Sequence, residues 1–118
     1  MSDTLEFGKE VLLREGQAVS ALAALLDARF EQAVQLVLKC TGHTVITGIG
    51  KPWLIGQKIS ATMASTGTRS FPLHPSEAMH GDVGRLHSDD VVIAMSNSGE
   101  SEEVVRLLPV IKRVGCKL

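Results

Sequence analysis

Two short polar stretches hold the residues best suited to chemistry. Ser96-Asn97-Ser98-Gly99-Glu100-Ser101 gathers three hydroxyls within six residues. Gly99 in its middle lets the backbone come close to a ligand. A helix expected to begin near Glu102 would add unpaired N–H groups and a positive dipole end. That combination suits a phosphate monoester. The same serines also fit helix capping, as Ser before Glu commonly does; spacing alone weighs the two readings equally, and three hydroxyls in six residues favour the anion. Upstream, Gly48-Ile49-Gly50-Lys51-Pro52 offers Gly50 and an ammonium group near the same ligand. Lys51 also reads as an ordinary solvated lysine. The stretch completes neither GxGxxG nor GxxxxGK[ST], which excludes a nucleotide-phosphate loop.

The densest polar cluster is His74-Pro75-Ser76-Glu77 followed by His80-Gly81-Asp82. Its spacing matches no standard zinc pattern, so hydrogen-bonding or acid–base histidines are expected and no metal. Glu100, Glu102 and Glu103 would repel a phosphate if all faced it. At least two should therefore face solvent, leaving one to face a sugar. An aldose–ketose isomerase needs a base to move a proton between C1 and C2, a shuttle for the hydroxyl protons and stabilisation of the enediolate. A carboxylate, an imidazole and an ammonium ion supply those roles.

These side chains need a scaffold, and its outline is readable. Apolar residues Leu5, Leu12, Val19, Leu22 and Leu26 form one stripe of a helix over residues 3–26. Phe30, Ala33, Val34, Val37 and Leu38 form a second, which Thr41-Gly42 should end by turning left-handed. Residues 1–42 thus read as an N-terminal helical hairpin. Residues 43–118 read as a β-α-β core. Thr44-Val45-Ile46-Thr47 is a β-branched strand running into the glycine loop. Pro52 suits the first turn of a helix that Ala, Ser and Thr allow close to a sheet and that Gly67 ends. Strands follow at residues 70–73 and 91–95, then a helix over 102–114 that Pro109 should bend. Cys116-Lys117-Leu118 resembles the opening of a fourth strand, so the sheet is expected to continue beyond the chain. The fold class is α/β, a three-layer α-β-α arrangement with a flavodoxin-like parallel sheet. Ligands of such sheets bind beyond the carboxyl ends of the strands, where both polar loops should sit.

With 118 residues and 44% hydrophobic content, the chain suits one small domain. Twelve basic residues nearly cancel thirteen acidic ones, so no positive field exists for a nucleic acid or an anionic membrane. Neither a leader nor a membrane span is apparent, and a cytoplasmic protein is expected. Cys40 and Cys116 stand alone and read as buried reduced thiols.

The segments GIGKPWLIGQKISATMASTGT, HPSEAMHGDVGRL and DDVVIAMSNSGESEEVVRLLP resemble, in order and spacing, the sugar-phosphate isomerase (SIS) domains, and among them the arabinose-5-phosphate isomerases. The motifs ASTGT-x5-HP-x-EA-x-HGD and S-N-S-G-E-[ST]-x-E are the specific part. The resemblance implies cofactor-free interconversion of D-arabinose 5-phosphate and D-ribulose 5-phosphate on the way to the Kdo sugar of lipopolysaccharide. It assigns catalysis to Lys51, His80 and Glu103, phosphate binding to Ser96, Ser98 and Ser101, and places Ser65 and Thr66 near the sugar. Gly50, His74, Asn97 and Gly99 complete the binding set. It also implies a homo-oligomer, a tetramer, in which neighbouring subunits complete each site. Two departures stand out. Pro52-Trp53 replaces the Ser-Gly that usually follows the loop lysine, giving a stiffer and bulkier loop. The second catalytic Glu and a further His of the family belong to segments after Leu118, and the regulatory CBS pair is missing. Two other functions fit the scaffold: a sugar-phosphate sensor without catalysis, which has no need of Lys51, His80 and Glu103 together, and a different phosphosugar isomerase.

Overall fold

The structure, a computed structural model, describes residues 3–118. Its elements in order are α1 (Asp3–Ala21), a 3-10 turn (Leu22–Leu25), α2 (Ala28–Leu38), β1 (Thr44–Gly48), α3 (Lys51–Ser65), β2 (Ser70–Pro72), α4 (Pro75–Met79), a second 3-10 turn (Asp82–Arg85), β3 (Val91–Met95) and α5 (Glu102–Val114). Contacts divide the chain into two compact units, one ending at Val34 and the other Gln35–Leu118.

In the first unit, the helix expected to reach residue 26 stops at Ala21. Asp27 supplies the reason: its carboxylate accepts the Arg29 backbone N–H at 2.9 Å, a capping arrangement that starts α2 and requires Leu26 to be extended before it. The Arg29 side chain and its N–H hold the Asp27 carboxyl below its usual range. Neither α1 nor α2 has a buried residue, and the stripe of Leu5, Leu12, Val19, Leu22 and Leu26 is exposed.

The second unit is built on a parallel sheet of order β2-β1-β3. Lys117 forms a further parallel bridge to Val91, with the Val92 N–H donating to its carbonyl at 2.8 Å. The order is therefore that of a flavodoxin-like sheet, with a fourth position opening beside β3. Alternation along β1 sends Val45 and Ile46 to opposite faces. Val45 joins Leu73, Ala78, Leu86, Val92, Leu107, Ile111 and Cys116 in one core under α4 and α5. Full burial of Leu73, Leu107 and Ile111 contributes about 1.5–3 kcal/mol each. On the other face α3 lies close to the sheet, since a Cβ on Gly56 would come within 3.0 Å of Ile46. Here Ser60 and Ser70 share a hydroxyl bond of 2.8 Å, and Ser70 donates to the Thr44 carbonyl. Pro109 is exposed and does not interrupt α5, which runs from Glu102 to Val114 through it.

Two expectations need correction. Gly42 does not turn left-handed after α2; the glycines with positive φ are Gly50, Gly67, Gly81, Gly99 and Gly115. It is glycine because of a close approach: a Cβ there would lie 2.8 Å from the Asp89 carbonyl and collide with the Asp90 carboxylate. Cys40 is only half-buried, donating weakly to the Asp89 carbonyl, whereas Cys116 is buried. Asp90 itself, 1% exposed, ties the start of β1 to the turn before β3 by accepting the N–H groups of His43 (2.7 Å) and His87 (2.8 Å).

Gly42→Ala should therefore destabilise the fold by about 1–3 kcal/mol, read as a lower urea midpoint, because the turn must move to admit a methyl group. Burial, reinforced by the Asp90 charge, pushes the Cys116 thiol above its ordinary value of 9.0. The folded state thus holds this proton more tightly than the unfolded state. Its contribution to stability is complete below the unfolded value and falls as pH rises past it. Denaturation curves of wild type and Cys116→Ala should diverge in pH dependence only in that alkaline range.

Candidate functional site

Parallel pairing brings the loops after β1, β2 and β3 to one edge of the sheet. From β1 the chain passes through α3 to β2 on one side, while β3 lies on the other. The gap between the ends of β1 and β3 is thus a topological switch point, where such sheets bind ligands. The structure has an open groove of about 790 Å³ there, lined by Lys51, Pro52, Ile55, Ala94, Met95, Ser96 and Asn97. Gly48 lets two of these residues approach the end of β1 closely: a Cβ would stand 3.1 Å from the Met95 carbonyl and 3.2 Å from Pro52. Gly50 then reverses the chain at φ 66° and ψ −131°, a conformation open to glycine, and Pro52 in the first turn sets the helical φ. Lys51 is left exposed at the head of α3, with no ion pair among the described residues. A second hollow, about 220 Å³, is lined by Val37, Cys40, Gly42 and Arg69 among others and opens at the amino edge, away from these loops.

The serine loop is closed by its own hydroxyls. Ser96 and Ser101 share a bond of 2.8 Å, the Gly99 N–H donates to Ser96 Oγ at 3.0 Å, and the Glu100 N–H donates to Ser98 Oγ at 3.1 Å. Gly99 makes this turn with φ 73°. Ser101 occupies the N-cap position of α5, yet its side chain makes no capping bond. Side-chain capping, the competing reading of these serines, is therefore not what this loop does. The first N–H groups of α5 thus receive no bond from the Ser101 side chain, at the positive end of a 13-residue helix. Glu100, Glu102 and Glu103 are all exposed; Glu102 pairs with Arg106 one turn along, and Glu103 has no ion pair among the described residues.

Over the end of β2, His74 caps α4, its Nδ1 accepting the Ser76 N–H at 3.3 Å. Its ring meets Trp53 edge to face, with centroids 4.9 Å apart. His80 follows at the C-cap of α4; its backbone N–H donates to Glu77 and its imidazole is exposed. Asp82 pairs with Arg85 at 3.5 Å. Among the described residues, no group of three or more His, Cys, Asp or Glu is arranged to hold a metal ion.

The structure thus brings Gly50, Lys51, Ser96, Asn97, Ser98, Gly99 and Ser101 to one edge, with Glu103 in the adjoining first turn of α5 and His74 across the end of β1. It does not bring Ser65 and Thr66 there. Both sit at the far end of α3, roughly 20 Å along the helix from Lys51, donating to the Thr62 carbonyl at 2.9 and 2.8 Å. The apolar wall of Ile55, Ala94 and Met95 is invisible as part of the site in the sequence, where these residues read only as helix and strand core. So is the partnership of Trp53 with His74, whose positions lie 21 residues apart (74 − 53). Thr47, fully buried one residue before Gly48, has a hydroxyl without a partner among the described residues, and sequence reveals only its β-branched strand role.

Similarity to known proteins agrees with this geometry. Residues 37–118 match the SIS domain family. Arabinose 5-phosphate isomerase KdsD of Pseudomonas aeruginosa is 47% identical over 100% of this chain and 37% of its own length. The KdsD of Salmonella typhi is 48% identical over 95% of this chain and 34% of its own. The chain therefore spans little more than a third of these relatives. The solved structure of E. coli CFT073 c3406 in complex with arabinose 5-phosphate superposes with a TM-score of 0.90 at 39% identity, covering 98% of this chain and 63% of that one. The matched segment carries the whole parallel sheet and both polar loops of the groove, and on that match the chain belongs to the SIS-domain family.

Proposed function

We propose that the site serves an aldose–ketose isomerisation of D-arabinose 5-phosphate and D-ribulose 5-phosphate through an enediolate. One observation carries the reading: Ser101 stands at the N-cap of α5 but turns its hydroxyl to Ser96, leaving helix N–H groups uncapped beside the Lys51 groove. A phosphate monoester fits that arrangement, with Ser96, Ser98, Ser101 and the backbone of Asn97 and Gly99 as its contacts. The names of the KdsD relatives and the structural neighbour bound to arabinose 5-phosphate support the choice of sugar.

In the proposed reaction Glu103 takes the proton from C2 of the open-chain aldose, and the pair of electrons left on C2 moves to form the C1–C2 double bond of the enediolate. Lys51 stabilises the charge that develops on O1. His80 passes the hydroxyl proton from O2 to O1, and the proton returned to C1 completes the ketose. Protons alone are moved, so the step requires no redox cofactor. The proposal extends to a cytoplasmic homo-oligomer, tetrameric by resemblance, whose subunits share sites and which supplies the path to Kdo and lipopolysaccharide. Sharing of sites between copies would also relieve the separation of Ser65 and Thr66 from the groove, since a neighbour's helix end could bring them to the sugar.

The test is an assay for ribulose 5-phosphate formation by the purified chain and by any longer protein that carries it. Lys51→Ala and Glu103→Gln should each lower turnover by at least about 100-fold. Ser98→Ala should mainly raise KM, by about tenfold. Normal turnover in the first two variants would sink the assignment, and sugar-phosphate stabilisation without turnover from either protein would replace it with the sensor function.

A further inference from the structure

We infer that Trp53 is a positioning residue of the site: it fixes the His74 ring so that His74 Nε2–H donates to a sugar oxygen at the end of the substrate remote from its phosphate. The inference rests on the sugar-phosphate reading above and extends it to Trp53, a residue that reading leaves idle, acting on His74, which the resemblance places in the binding set.

Two contacts define the pair. The Trp53 and His74 rings are 4.9 Å apart and nearly perpendicular, at 88°. This edge-to-face arrangement is the one that the charge distribution of aromatic rings favours. Nδ1 of His74 accepts the Ser76 N–H, so the proton of the neutral ring resides on Nε2. Nε2 has no hydrogen-bond partner among the described residues. Both rings hang from constrained backbone: Pro52 precedes Trp53 in the first turn of α3, and Pro75 follows His74 at the start of α4. The imidazole is thus held at one nitrogen and by the indole ring, with a single donor left to use.

Distance argues for the sugar as its acceptor. His74 follows β2 and the serine loop follows β3, and these strands flank β1. Their ends are two inter-strand spacings apart, roughly 10 Å, about the reach of an extended five-carbon sugar phosphate. A phosphate at the serine loop would direct its C1 and C2 oxygens across Lys51 toward His74. Trp53 needs no contact with the substrate for this; it limits the ring's rotation, and a donor already oriented loses less entropy on binding.

The chain provides its own reporter, since Trp53 is the one tryptophan and there is no tyrosine. Binding of D-arabinose 5-phosphate and of inorganic phosphate to the 118-residue chain would be followed by Trp53 emission and by thermal shift. The sugar phosphate should change the emission, and inorganic phosphate should raise the melting temperature without changing it. Trp53→Ala and His74→Asn should each weaken sugar-phosphate affinity about fivefold to tenfold and leave phosphate affinity unaltered, with Trp53→Phe restoring most of the loss. Sugar-phosphate affinity unchanged in Trp53→Ala, or equal losses for both ligands, would overturn the inference alone. No binding of either ligand by the wild type would overturn the sugar-phosphate reading and this inference with it. If Trp53→Ala does not fold, Trp53→Leu decides, because it fills part of the same space without an aromatic ring against His74: an unchanged sugar-phosphate affinity there would overturn the inference.

Discussion

Everything functional in this chain depends on the pairing of β1 in parallel on both of its edges. Thr44–Gly48 is buried at all five positions and hydrogen-bonds β2 on one side and β3 on the other. A strand buried on two faces cannot slip by one residue, since that would exchange Val45 for Ile46 between two different cores. The fixed register sets Gly48 level with Met95, which lines the groove. Asp90 reinforces the same strand from the opposite end. A carboxylate this deeply buried is tolerable because two backbone N–H groups bond it, and those bonds tie the first residue before β1 to the turn before β3.

The edge built this way combines opposing electrostatic features. Three glutamates at positions 100, 102 and 103 surround the loop proposed to hold a phosphate, a repulsion that in a buried site would oppose such binding. Exposure reduces it: all three carboxylates stand in solvent, where charge interactions are weak, and Arg106 engages one of them. The attractive terms are local and directional. Uncapped N–H groups of α5 and three serine hydroxyls act at hydrogen-bond range, where a helix end contributes most. The loop's internal bonds hold its hydroxyls in place before any ligand arrives, which lowers the entropy lost on binding.

Beside this polar loop the groove is lined by the apolar Pro52, Ile55, Ala94 and Met95. Pro52 and Trp53 belong to this design. The proline stiffens the start of α3, and the indole occupies space over the end of β2 by packing on His74. What reads in the sequence as a departure from the usual loop is, in three dimensions, an aromatic pair bridging two of the three loops.

The sequence by itself determined the elements and the polar loops, because both are local. Strand β3 and helix α5 lie where the runs of apolar residues put them, and the serine loop is contiguous. The parallel pairing of the sheet followed from strands alternating with helices, whereas its order, β2-β1-β3, was decided by the fold. The chain's own letters did not determine distance. Ser65 and Thr66 belong to the same motif as His74 in sequence, yet a helix of 15 residues carries them to the other end of the unit. Gly42 looked like a turn residue, and only the fold shows Asp89 and Asp90 pressed against it from 47 and 48 positions away (89 − 42 and 90 − 42). The competing reading of the serines as caps was likewise decided by one hydroxyl choosing Ser96 over the helix. Local pattern encodes which groups a segment can offer; which of them meet is decided by close packing, a property of the whole core that no short stretch of sequence contains.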